Sequence, residues 1–136
     1  MFKLLFYVCV VVFLAGTAFV RLSPIAARHF DSRAVDPLAG AKIRPGGYRT
    51  AIAPLTQTDQ DRLFAEILAT PRTTERSTDL PNTRIFVHRS MIWGFADVTH
   101  VILADDQWII DSHLVLGQSD MGVNKRRIEG WLITIS

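Results

Sequence analysis

Residues 97–116 read DVTHVILADDQWIIDSHLVL. Two runs rich in Val, Ile, Leu and Trp, Asp97–Ala104 and Gln107–Leu116, are parted only by Asp105-Asp106. Such runs favour extended chain, and a pair of acidic residues suits a tight hairpin turn. A two-residue link leaves antiparallel pairing as the only geometry. With the turn at Asp105-Asp106, Ala104 faces Gln107 and His100 faces Asp111. The two-residue period of a strand then sorts the side chains. His100, Ile102, Ile109, Asp111 and His113 share one face. Thr99, Val101, Leu103, Trp108, Ile110, Ser112 and Leu114 share the other, which is the more apolar and is expected to face the core.

The same composition extends backwards to a third run, Arg84–Ile92, linked through Trp93-Gly94-Phe95-Ala96. Before it, Asp59–Ala69 reads as a helix. Thr58 and Asp61 have near-capping-box spacing, Leu63, Phe64, Ile67 and Leu68 form one stripe, and Pro71 follows. After the strands, Gly117-Gln118 breaks the run and Ser119 with Asp120 opens a last helix. Met121, Lys125, Ile128, Leu132 and Ile135 are expected on its inner face, with Trp131 beside them. The expected class is α+β: a three-stranded antiparallel sheet flanked by two helices over residues 57–136.

At the other end, Leu4–Val20 carries no charge and is apolar apart from Gly16 and Thr17. Lys3 and Arg21 flank it. The run exceeds the apolar region of a usual signal peptide and reaches the lower bound for a membrane span. Phe19 and Val20 also continue the apolar character past the small residues Gly16 and Ala18. Residues 1–22 are therefore read as an uncleaved transmembrane anchor, one continuous helix standing clear of the domain. Three arginines just after the run place the domain in the cytoplasm by the positive-inside rule; a signal-like start favours export, and the expectation leans to the extracytoplasmic side. Cys9, the only cysteine, lies inside the run, so no internal disulfide is possible.

Residues 23–56, with Pro24, Pro37, Pro45 and Gly46-Gly47, read as a tether or strap lying along the domain. The formal charge of the chain is +2, and it vanishes when Lys3 and Arg21 are set aside. A neutral domain lacks the field that phosphate-backbone binding needs, so nucleic acid is not an expected partner. Residues 22–49 nevertheless hold five basic side chains against two acidic ones, next to the apolar run, which suits anionic lipid headgroups. Membrane lipids and an envelope protein are the candidate partners. Lys125-Arg126-Arg127 reads as the solvated face of the last helix.

Three histidines and a carboxylate could meet on one sheet face. If Arg84–Ile92 pairs with even parity, His88 joins His100, Asp111 and His113 as weak metal-ligand candidates. No short-spaced His pair supports a metal, and no phosphate loop, dinucleotide fingerprint, nucleophile elbow or cysteine pair is present. No cofactor is implied. A small hydrolase-like site built on His100, Asp111 and Asp97 is the enzymatic alternative. It requires those groups to converge in one pocket.

Two stretches carry more than composition: Gly94-Phe95-Ala96-Asp97, and the run from Gly117 through Ser119-Asp120-Met121-Gly122-Val123-Asn124-Lys125-Arg126-Arg127 to Glu129. Together they resemble the domain-of-unknown-function 1499 family over roughly residues 36–136. Similar proteins often alternate serine and arginine in the strand before the motif. Here Ser112 is kept, while His113 and Val115 stand in the arginine places, so an anion-binding strand is not expected. The resemblance implies an architecture and no reaction. Physically, the motif reads as a latch. Ser119 and Asp120 can satisfy free N–H groups at a helix start, and Asn124 and Arg127, three apart, can reach back to strand ends. The functional counterpart is a small polar pocket between these residues and Asp97. The leading expectation is thus a non-enzymatic, membrane-anchored domain that binds a lipid or a partner protein at the cell envelope.

Overall fold

The computed structural model describes residues 1–35 and 40–135. Asp36 and Pro37 of the expected strap, and Ser136, lie outside them. Helix α1 spans Phe2–Leu22 without interruption and buries none of its residues. It is long and apolar enough to cross a membrane. Two short 3₁₀ turns follow, Ala27–Phe30 and Ser32–Ala34. The domain then runs β1 (Lys42–Arg44), β2 (Gly47–Ile52), α2 (Gln57–Ala69), β3 (Thr73–Arg76), β4 (Thr83–Arg89), β5 (Ala96–Ala104), β6 (Gln107–Leu114) and α3 (Val123–Ile133).

The expected hairpin is present in the expected register, with Ala104 opposite Gln107 and His100 opposite Asp111. Asp105 and Asp106 have φ of 46° and 60°, the left-handed pair that a type I′ turn demands. The class is α+β, but the sheet has six antiparallel strands in the order β1-β2-β6-β5-β4-β3, not three. The second half of the strap supplies β1 and β2. Pro45-Gly46 joins them as a two-residue loop, and Gly46 takes the positive φ of 69° that Pro-Gly turns require. β2 then pairs with β6 along its full length, from Gly47–His113 to Ile52–Trp108. β3 is the polar run Thr73–Arg76, which adds to β4 as an edge. Its charged side chains, like Lys42 and Arg44 on β1, discourage further strand addition.

Both helices cover one sheet face. Phe86, Val101, Trp108, Ile110 and Tyr48 of the sheet meet Leu63 and Ile67 of α2 and Ile128 and Trp131 of α3. Each fully buried large side chain contributes about 1.5–3 kcal/mol. The buried stripe of α3 is Asn124, Ile128 and Trp131. Of the expected inner face, Ile128 is buried and Leu132 and Ile135 pack against the core with Trp131 beside them, while Met121 lies outside the helix and is exposed and Asn124 takes the buried place at the start. For α2, the cap is Thr56, whose hydroxyl accepts from Asp59 N, two residues earlier than expected.

The opposite face is covered by the first half of the strap. His100 Nε2 donates to His29 O (2.8 Å), and the Arg76 guanidinium sits 4.0 Å over the Phe30 ring. α1 does not stand wholly clear of the domain. Phe13 meets Trp93 edge to face, and Arg21 donates to the carbonyls of Met91 and Ile92.

Candidate functional site

β4 and β5 are joined by the six-residue loop 90–95, which leaves their register free of the constraint that a tight turn imposes. The observed pairing sets His88 opposite Asp97 and Phe86 opposite Thr99. His88 is therefore on the core face and does not join His100, Asp111 and His113. Asp97 is on the core face too. The trio His100, Asp111 and Asp97 is split between two sides of the sheet and does not converge.

On the core face a row of polar side chains crosses four strands and ends on α3. Thr73 Oγ1 lies 2.7 Å from His88 Nδ1, and His88 Nε2 lies 2.9 Å from Thr99 Oγ1. Thr99 and Ser112 hydroxyls are 2.8 Å apart, and Ser112 donates to Asn124 Oδ1. Arg127 Nη1 donates to the same oxygen (3.0 Å), and Arg127 Nη2 donates to Asp97 (3.0 Å). Proton directions follow from the acceptor at the end. Ser112 gives its proton to Asn124, so it accepts from Thr99. Thr99 then accepts from His88 Nε2–H, leaving His88 Nδ1 to accept from Thr73. His88 is thus a neutral ring in one tautomer. Burial and the nearby Arg127 push its pKa down to about 3. Burial raises the Asp97 carboxyl above its ordinary range, while Arg127 and Asn124 act against that rise.

Of the predicted latch residues, Asp120 serves the start of α3. Its two carboxylate oxygens accept from Gly122 N (3.1 Å) and Asn124 N (2.9 Å). Burial raises its pKa, but those hydrogen bonds outweigh it and hold the carboxyl below its usual value. Ser119 accepts from Met121 N (3.2 Å) one step earlier. Asp97, Asn124 and Arg127 are brought together; Ser119 and Asp120 stand beside them. Trp131 Nε1 ties the same helix to Thr70 at the end of α2.

Between this row and the loop 90–95 lies a cleft of about 490 Å³. Trp93, Phe95, Leu114, Leu116, Met121 and Val123 give it apolar walls, and His88, Asp97, Arg127 and Arg72 line its polar part. That size is within the range of small-molecule sites, and apolar walls with a few convergent polar groups are their usual make-up.

The far face carries a second cluster that sequence reasoning found only in part. Asp111 is buried and is bound by Arg49 (2.7 Å) and by Arg44. Burial would raise its pKa, but His113, Arg49 and Arg44 bring it down to about 2. His29 Nδ1 lies 3.0 Å from His113 Nε2, and His113 stacks on His100. Burial lowers the pKa of His100 and of His29, the latter helped by His113 and Arg28. Arg44, Arg49 and His29 come from the strap, whose docking no local pattern announces. Among the described residues no group of three or more His, Cys, Asp or Glu is arranged to hold a metal ion.

Comparison with curated proteins gives no match. The family model described as protein of unknown function (DUF1499) matches residues 21–135. That match takes in the whole domain and the strap, with the latch, the cleft and the far-face cluster all inside it, and the chain belongs to the DUF1499 family.

Proposed function

We propose that this chain is a single-span, membrane-anchored domain that binds an amphiphilic lipid in the cleft between loop 90–95 and α3. The observation that carries the reading is the make-up of that cleft: about 490 Å³, apolar along Trp93, Phe95, Leu116 and Met121, and polar at Arg72, Asp97 and Arg127. An acyl chain fits the first part and a polar or anionic head the second. The apolar walls supply about 25 cal/mol per Å² of chain surface removed from water. The cationic groups fix the direction of entry. The cleft also lies on the side where α1 meets the domain, through Trp93 and the Arg21 contacts. A hydrolytic reading has less support, because Asp97 lies on the opposite face from His100 and Asp111.

The test is lipid binding by the full chain purified in a mild detergent. A fluorescent acyl-chain lipid should bind saturably. Leu116→Asp and Val123→Trp, both at partly exposed cleft positions, should weaken it about tenfold or more without moving the melting temperature by more than a degree or two. Binding that does not saturate, or that is indifferent to both substitutions, would overturn the reading.

A further inference from the structure

The loop 90–95 is the most apolar exposed part of the domain. Met91 is 65% exposed, Ile92 56% and Trp93 47%. A soluble surface gains nothing from three such neighbours. Their placement gives the reason. Trp93 touches Phe13, with ring centroids 5.1 Å apart, while Arg21 at the end of α1 binds the carbonyls of Met91 and Ile92. Phe13 and Arg21 are eight residues apart, about 12 Å along a helix. The 21 residues of α1 span about 31 Å, close to the thickness of a hydrocarbon core of about 30 Å. If Arg21 marks the edge of that core, the loop descends beside the helix well below the edge.

The geometry points to loop 90–95 as a second membrane-inserted element, seated in the leaflet beside α1, so that the cleft mouth opens into lipid. This rests on the reading of α1 as a membrane span and deepens the proposed lipid site by naming its entrance. The occupant of the apolar patch is the bilayer itself, because the patch is continuous with the anchor.

Side chains from α1 and β4 also brace the loop. In this loop Arg21 serves the carbonyls of Met91 and Ile92, and Arg89 Nη1 serves that of Gly94 (3.0 Å). Ser90 N donates to Phe95 O (2.9 Å), and Phe95 N donates to Ser90 Oγ (3.0 Å). Gly94 completes the fit: its φ is +74°, and a Cβ there would lie 2.2 Å from Arg21 Cγ. The glycine of the Gly-Phe-Ala-Asp stretch leaves the room through which the arginine reaches the loop.

Site-directed spin labelling of the full chain in phosphatidylcholine–phosphatidylglycerol vesicles tests this. In a Cys9→Ser background, single cysteines are placed as Ile92→Cys, Val11→Cys and Ile43→Cys. Ile43, on β1, is 68% exposed and serves as the aqueous reference. The label at Ile92 should collide with a water-soluble nickel chelate at least fivefold less than the label at Ile43, and more with oxygen. A lipid-buried Val11 label combined with an Ile92 label as accessible as Ile43 would overturn the insertion and leave the anchor standing. Water access at both Val11 and Ile92 would overturn the anchor reading and the insertion with it. Adding Gly94→Ala should lift the Ile92 label toward water by several-fold; an unchanged depth would overturn the part assigned to Arg21. Lipid capture in detergent is read separately, so its failure is not confused with either.

Discussion

Arg127 of α3 and Asp97 of β5 meet at 3.0 Å, joining the last helix to the start of a central strand. Their side chains are 17% and 10% exposed, so the pair is shielded from most of the screening that weakens surface ion pairs. Hydrogen bonds to charged groups contribute about 1.5–3 kcal/mol. Asp97→Ala and Arg127→Ala should each cost about that much in urea unfolding of the full chain in micelles, followed through Trp108 and Trp131. The double substitution should cost clearly less than the sum, since the second change removes the group that the first left unpaired. Strictly additive losses would show that the two residues are not coupled.

His88 makes the core face acid-sensitive. Its folded pKa is about 3 against an ordinary 6.5. Between these values the unfolded chain binds a proton that the folded chain refuses. The stabilisation is fully present above about pH 6.5 and is lost as pH falls toward 3, by up to about 1.4 kcal/mol per pH unit. His88→Gln can still accept from Thr73 and donate to Thr99 but does not titrate. Stability measured from pH 7 to pH 4 should fall less steeply in that variant than in the wild type. Parallel profiles would count against the neutral tautomer.

The hairpin turn holds two non-glycine residues at positive φ, and both carry a negative charge. Replacing Asp105-Asp106 with Asn-Gly keeps the turn type, relieves the left-handed cost at Asp106 and removes the repulsion. The urea midpoint should rise, by an equivalent of about 1 kcal/mol. A lower midpoint would mean that the aspartates have partners worth more than the strain.

The worth of an ion pair should follow burial, whichever face of the sheet carries it. Asp111 is 2% exposed and serves two arginines, whereas Glu75 and Arg84 pair at 37% and 33% exposure. Asp111→Asn should cost about 3–5 kcal/mol by stranding Arg44 and Arg49, and Glu75→Gln less than about 1 kcal/mol. Equal costs from the two substitutions would contradict the burial argument.

How far this architecture can be read from the chain depends on how locally each part is determined. The β5–β6 register was legible because a two-residue turn permits one pairing only. The β4–β5 register was not: loop 90–95 is long enough for either parity, and the odd one places His88 inward, against Phe86 and Thr99 of the core face. β3 hides because Thr73–Arg76 is an edge with polar side chains, and β1–β2 hide behind Pro45-Gly46-Gly47, which signals a break while serving as a hairpin turn. At the site, Asp97, Asn124 and Arg127 stood out by their places at strand and helix junctions. Arg44, Arg49 and His29 did not, because their partners are 60 or more residues away and only the folded strap unites them.

The docked strap also has a mechanical consequence. Residues 23–35 as a free coil would let the domain wander roughly 20 Å from the end of α1. Clamped by His29 on His100 and by Phe30 under Arg76, the same segment has no slack. Force on the domain would peel the strap off the sheet before it could stretch it, so the strap contacts join those of Arg21 and Phe13 in fixing the distance between the domain and α1, whatever the number of residues between them.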